Sequence, residues 1–196
     1  MTRNEREERI AAAAYEVLAE KGFGGASMLA VAKRARASNE TLYKWYGDKV
    51  GLFSALIRAN AAEARALLEG APVGEADNAA TLRALAPVLL DLVTSERAVA
   101  LNRAAAADAT GALGQALAAE GRETVAPLIG QVMAAALKAG ELRGEGPEAL
   151  ADLYISLVIG DWQIRRATRV MGAPTPEAVS ARAKRGLAAF FRLAGP

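Results

Sequence analysis

Apolar residues recur every three or four positions along almost the whole chain, and stretches that alternate apolar with polar residues are nearly absent. That period belongs to α-helices with one buried face. From Asn4 to Lys21, the positions Ile10, Ala13, Ala14, Val17 and Leu18 share such a face, and Gly22 supplies a stop. Phe23, Gly24 and Gly25 make a short connector. Ser27 stands where an N-cap belongs, ahead of the short helical stretch MLAVAKRA. Arg36, Ala37 and Ser38 interrupt that helix, and Ser38 can cap a second short one, NETLYKWY. Asp48 caps a longer helix with Val50, Phe53, Leu56, Ile57 and Ala64 on one face, running to about Gly70.

The best boundary in the chain is GAPVGEADN, where Gly70, Pro72 and Gly74 fall close together. It suggests three regions: 1–49, a connecting helix over 50–70, and 71–196. Beyond the boundary, helices are expected over about 77–94, 96–108, 111–139, 147–171 and 175–193. Pro87 and Pro127 fall inside two of them and should kink or split them. Pro147 and Pro176 suit the first turn of theirs, and GELRGEGP marks a turn. The fold class is all-α.

Composition narrows the chemistry. With 196 residues, 53% of them hydrophobic, the chain can bury a sizeable core. It has no Cys and no His, which excludes disulfides, thiolate or imidazole metal sites and a Ser-His-Asp triad. No metal and no cofactor is expected, although carboxylate-only sites remain formally open. The N-terminal MTRNEREERI has no apolar run of the signal-peptide kind, and Leu153 to Gly160 is too short to span a bilayer. The expectation is a soluble, cytoplasmic protein without a membrane partner. A net charge of +2 means that any nucleic-acid contact must come from a local patch.

Such a patch exists. Two short helices joined by a tight turn and braced by longer ones form a helix-turn-helix arrangement, whose second helix enters the DNA major groove. On a helix from Asn39, Leu42 and Tyr46 lie four apart and can share a buried side with Val31 and Ala32. The other sides carry Asn39, Glu40, Thr41, Tyr43 and Lys44, groups able to reach base edges or phosphates. Lys49 opens the next helix within reach of a phosphate, and Ser27 could hold one through its hydroxyl and backbone N–H. Lys33, Arg34, Arg36, Lys44 and Lys49 outweigh Glu40 and Asp48 over this stretch. An ordinary αα-hairpin with a solvated polar face fits the periodicity equally well.

The stretch from Ser27-Met-Leu-Ala-Val-Ala-Lys-Arg-Ala through Ser38-Asn-Glu-Thr-Leu-Tyr-Lys-Trp-Tyr-Gly-Asp-Lys-Val-Gly-Leu-Phe53 resembles the N-terminal domain of TetR/AcrR-family transcriptional regulators. That family's pattern runs Thr, a short helix with Ile-Ala, Ala-Gly-Val-Ser, then Gly-Thr-Leu-Tyr-x-Tyr-Phe-x-x-Lys-x-x-Leu. The preceding IAAAAYEVLAEKGFGGAS fits as well, so the resemblance covers about residues 5 to 57 without a gap. AGELR and PEALADLY further on are similar to AefR-like members. The resemblance implies DNA-facing positions for Ser27, Ser38, Asn39, Thr41, Tyr43, Lys44, Trp45 and Lys49. Tyr43 and Lys49 would take phosphates, Asn39, Thr41 and Lys44 bases, and Trp45 the groove edge. Two residues depart from the pattern. Arg36 stands where the family usually has Gly, so either a left-handed residue carries a Cβ with some strain, or another turn lets Arg36 reach phosphate. Glu40 replaces a small residue; a carboxylate there repels phosphate but can accept from cytosine N4.

The resemblance also implies an N-terminal three-helix DNA-binding domain and a larger C-terminal helical domain that binds an effector and dimerises through its last two helices, about 147–193. The partners it implies are a palindromic double-stranded DNA operator, a second copy of the chain and a small-molecule effector, most often for a repressor and not an enzyme. Candidate liners of an effector site are Leu89, Leu92, Val93, Leu101, Met133, Leu137, Tyr154, Leu157 and Trp162; each is also an ordinary core residue. Asp161 and Arg165, four apart, could anchor a polar group of the effector, pair across a dimer or form an exposed ion pair. The apolar bias of the set implies a hydrophobic or amphipathic effector. Arg165, Arg166, Arg169, Arg182, Lys184, Arg185 and Arg192 form a second basic concentration, either a rival DNA surface or rim charges. Two other functions fit the helices: a carboxylate-dependent enzyme or small-molecule binder using Asp91, Asp108 or Asp161, and a DNA-binding adaptor for another protein.

Overall fold

A computed structural model describes residues 2–70 and 77–196, and among them every regular element is helical. The expected boundary at Pro72 and Gly74 lies outside the described residues. Helix α1 spans Arg3–Gly25, α2 Met28–Arg34, α3 Asn39–Tyr46 and α4 Lys49–Glu69. Then come α5 (Asn78–Thr94), α6 (Glu96–Ala106), α7 (Ala112–Leu117), a π-helical turn over Ala118–Arg122, and α8 (Glu123–Lys138). Helices α9 (Pro147–Ile159), α10 (Trp162–Ala167) and α11 (Pro176–Ala194) complete the chain.

Local chemistry places most of these ends. Thr2 and Glu5 form a capping box that starts α1, each side chain bonding the other's backbone N–H. The Ser27, Ser38 and Asp77 side chains accept the first free N–H groups of α2, α3 and α5. Gly22 adopts a left-handed φ of 64° and interrupts α1, which lets Phe23 turn into the core. Neither internal proline splits its helix: α5 continues through Pro87, and α8 through Pro127 after the π-helical turn. The helix expected over 147–171 does break. Gly160, at φ 56°, ends α9, so the span 147–193 holds three helices rather than two.

The chain folds into two compact units, Met1–Asn60 with Arg97–Gly121, and Ala61–Glu96 with Arg122–Pro196. The first contains the helix-turn-helix. Its core gathers Ile10, Val17, Leu18 and Phe23 of α1, Val31 of α2, Leu42 of α3, and Leu52, Phe53 and Ile57 of α4. Leu101 of α6 and Leu113 of α7 join the same core. The second unit packs α5, α8, α9 and α11 around Leu82, Leu85, Leu90, Ile129, Met133, Tyr154 and Phe190, all at 0% exposure. Burying one such side chain contributes about 1.5–3 kcal/mol.

Candidate nucleic-acid interface

Helix α3 is held by one fully buried residue and two half-buried rings. Leu42 lies in the core at 0% exposure, while Trp45 and Tyr46 pack partly against it. Asn39, Glu40, Tyr43 and Lys44 are exposed and Thr41 is half-buried. Of the two residues expected inward, Leu42 is buried and Tyr46 half-buried.

The turn that aims α3 is a Schellman motif. Ala37 N–H donates to the Ala32 carbonyl at 2.9 Å, and Arg36 N–H to the Lys33 carbonyl at 3.2 Å. The motif needs a left-handed residue after the helix cap, and Arg36 fills that place at φ 48°. Of the two alternatives for Arg36, the strained left-handed turn is the one adopted; its side chain remains exposed. The next turn is as tight. Asp48 Oδ1 accepts the Gly51 N–H at 2.8 Å and caps α4. A Cβ on Gly51 would fall 2.0 Å from the Tyr46 carbonyl oxygen, so this close approach of α4 to the end of α3 requires glycine.

The charges are arranged less openly than their spacing suggested. Arg34 is bound by Glu20 and Glu16 of α1, at 2.7 and 2.9 Å, which removes it from the outward basic set. The Arg34 guanidinium, bonded to the Glu20 carboxylate, holds that carboxyl's pKa below the usual range. Lys49 departs from the expected outward position: its Nζ donates to the Phe23 carbonyl at 2.7 Å and lies 4.2 Å from the centre of the Phe23 ring. The ammonium satisfies a carbonyl at the end of α1 and is half-buried. Lys33, Arg36 and Lys44 remain exposed.

Trp45 is also turned elsewhere. Its ring meets Tyr46 edge to face, and the guanidinium groups of Arg3 and Arg6 stand 5.4 and 5.9 Å from its centre. These contacts tie the end of α3 to the first turns of α1. The Ser27 and Ser38 hydroxyls are engaged in capping, accepting the Ala30 and Thr41 N–H groups, and the Thr41 hydroxyl lies 2.7 Å from that of Ser38. Leu29, at the start of α2, is 51% exposed, and Val50, expected on the apolar face of α4, is 37% exposed at the start of that helix.

The residues proposed for an effector site separate. Leu89, Met133 and Tyr154 are buried in the core of the second unit, with Leu92, Leu137, Leu157 and Trp162 packed partly against it. Val93 is half-buried on α5. Leu101 belongs to the core of the first unit instead. The Tyr154 hydroxyl donates to the Leu82 carbonyl at 2.7 Å, and burial pushes its pKa far up. Asp161 is exposed ahead of α10 and pairs loosely with Arg165 at 3.9 Å. Arg166, one of the C-terminal basic residues, is only 5% exposed. It donates to the Thr94 and Met171 carbonyls at 3.0 and 3.4 Å and pairs with Glu96, so it is a strut rather than a DNA-facing cation. Arg182 likewise donates to the Leu157 carbonyl at 2.8 Å. Among the described residues no cluster of three acidic side chains could hold a metal, and no helix is long and apolar enough to cross a membrane.

The capped pair of short helices α2 and α3, with α1 and α4 on either side in the chain, defines a helix-turn-helix protein. Residues 10–56 match the model of the bacterial regulatory proteins of the tetR family, and residues 80–194 that of the AefR-like transcriptional repressor C-terminal domain. The chain belongs to the TetR family of transcriptional regulators. Over 43 residues it is 42% identical to the HTH-type transcriptional regulator YdeS of Bacillus subtilis, a match spanning 22% of each chain. Among solved structures, a TetR regulator from Agrobacterium tumefaciens is 28% identical with a TM-score of 0.75, over 97% of this chain and 94% of that one. The flavonoid-responsive regulator FrrA is 27% identical with a TM-score of 0.71, over 98% of both chains. A TetR-family regulator from Mesorhizobium loti, at 22% identity and a TM-score of 0.75 over 100% of both chains, shares the fold.

Proposed function

We propose that this protein is a ligand-responsive repressor that binds a palindromic operator as a homodimer and is released by a hydrophobic or amphipathic small molecule. The observation that carries the reading is α3 itself. It buries Leu42 and turns Asn39, Glu40, Tyr43 and Lys44 outward from a turn held by two backbone bonds. In the complex, Tyr43, Ser27 and Arg36 hold phosphates, while Asn39, Thr41 and Lys44 read bases and Glu40 accepts from cytosine N4. Lys49 reaches phosphate only by releasing the Phe23 carbonyl. Dimerisation through α9–α11 would set two recognition helices about one turn of DNA apart. The apolar side chains of Ile164, Val170 and Leu193, exposed by 61%, 71% and 67%, suit such burial in that part of the chain. The effector enters the second unit near Leu89, Leu92, Met133, Tyr154, Leu157 and Trp162, with Asp161 at its edge. It acts through α4, which runs from one unit into the other. The flavonoid response of FrrA supports an amphipathic aromatic molecule. The protein works in the cytoplasm, where operator and effector meet.

The test is a mobility shift on the DNA upstream of its own gene, with Tyr43→Ala alongside. Wild type should prefer this DNA over random sequence at moderate salt, and Tyr43→Ala should weaken the preference at least tenfold. Equal affinity for both DNAs would end the reading. Titration calorimetry against flavonoids, lipophilic cations and fatty acids tests the effector, and a response to sugars or metal ions alone would overturn that part.

A further inference from the structure

The first two turns of α1 stand against α3 at a place the DNA reading leaves unused. The capping box of Thr2 and Glu5 starts the helix at Arg3, so Arg3 and Arg6 lie on ordered turns. Both guanidinium groups converge on one indole, that of Trp45 on α3, at 5.4 and 5.9 Å from its centre. A cation over a tryptophan face is held through its flat side, and the N–H edges stay available to an acceptor. Arg3 already spends its Nε on Glu7, at 2.8 Å. Arg6 has no ion pair and no side-chain hydrogen bond among the described residues; only its backbone N–H bonds, to the Thr2 carbonyl. Glu5 is turned back onto the Thr2 backbone. With Arg3 paired to Glu7 and Glu5 turned to the Thr2 backbone, the Arg6 guanidinium leaves a positive edge that a phosphate oxygen would complete.

We propose that Arg6, with Arg3 beside it, contacts a phosphate of the operator next to the one held by Tyr43. Trp45 is a positioning residue that fixes the guanidinium groups on the flank of α3. The inference rests on the DNA reading and assigns the partner chemistry of this edge: the backbone of duplex DNA, read without regard to sequence. It also explains why an indole in the recognition helix is half-buried.

The experiment uses the full-length protein and duplex DNA that the wild type enriches from a randomised pool, with affinity followed by anisotropy across a salt series. Each phosphate that the protein no longer neutralises lowers the slope of log affinity against log salt by about 0.9. Arg6→Gln should bind about tenfold more weakly and lose about 1.8 from the slope in a dimer, one phosphate for each subunit. Arg6→Lys should keep the slope and lose only part of the affinity. Trp45→Leu should weaken binding, and Arg6→Gln added to it should cost less than it does alone. Thermal melting of each variant checks the fold. An unchanged slope in folded Arg6→Gln, or full additivity with Trp45→Leu, overturns the inference. A wild type that enriches no sequence overturns the DNA reading itself, which keeps the two failures apart.

Discussion

Arg36 holds a backbone conformation that its Cβ resists. A left-handed residue other than glycine costs about 1–2 kcal/mol, and the Schellman turn into α3 demands that conformation at this position. Arg36→Gly should therefore raise the melting temperature by about 2–4 °C, for a gain of about 1 kcal/mol. The same change should weaken DNA binding if the guanidinium holds a phosphate, so stability and affinity should move in opposite directions. A lower melting temperature would show that the turn carries no strain. Tyr154 makes the opposite case, a strain-free buried polar group. Tyr154→Phe loses the bond to the Leu82 carbonyl and should cost about 1 kcal/mol near neutral pH. Burial raises the phenol's pKa above its ordinary value, so the wild type loses stability as pH climbs past about 10, where the unfolded chain ionises and the folded one does not. Chemical denaturation at pH 7 and pH 11 should show the wild type's advantage over Tyr154→Phe shrinking. The hydroxyl of Tyr154 could be read from the sequence; its partner, 72 residues away, could not.

Helix ends were legible because capping is local. Ser27, Ser38 and Asp48 each satisfy N–H groups three residues on, and the sequence alone places all three. Close approaches between helices were not legible, since a glycine looks the same whether it loosens a turn or admits a neighbour. Gly51 admits the Tyr46 carbonyl, and Gly186 of α11 admits α9, where a Cβ would lie 2.7 Å from the Leu157 carbonyl oxygen and 2.8 Å from Val158 Cα. Gly51→Ala should cost about 1–3 kcal/mol and also shift the end of α3, so operator affinity should fall by more than the loss of folded protein explains. Gly186→Ala should cost a similar amount in denaturant melts without a direct effect on α3. If Gly51→Ala binds DNA normally once folded, the turn does not aim the recognition helix. The break at Gly160 went unread for a related reason. Apolar spacing continues past it through Trp162 and Ile164, and only the left-handed φ stops α9.

Across the whole molecule, the residues that looked alike in charge divide into struts and free edges. Arg166 is buried and bonds the carbonyls at the end of α5 and after α10, while its ionic partner Glu96 is 76% exposed. The carbonyl bonds should matter more than the ion pair. Arg166→Met should cost about 2 kcal/mol, because the Thr94 carbonyl loses its donor, whereas Glu96→Gln should cost under about 1 kcal/mol. Equal losses would mean that the ion pair dominates. A homodimer would also make the melting temperature rise with protein concentration, and a concentration-independent melt with a monomeric sedimentation profile would remove the dimer from the proposal.

Periodicity, caps and the absence of Cys determined, from the sequence alone, an all-helical chain without disulfides, and the motif from Ser27 to Phe53 marked a helix-turn-helix through its resemblance to a family. Those features depend on residues within a turn or two of each other, where spacing is geometry. Tertiary structure alone decided which cations are available. Arg34 meets Glu20 across 14 positions, Lys49 meets the Phe23 carbonyl across 26, and Arg3 and Arg6 meet Trp45 from the far end of α1. A charge is a property of a residue, but whether it faces solvent or a partner depends on the chain segments folded against it.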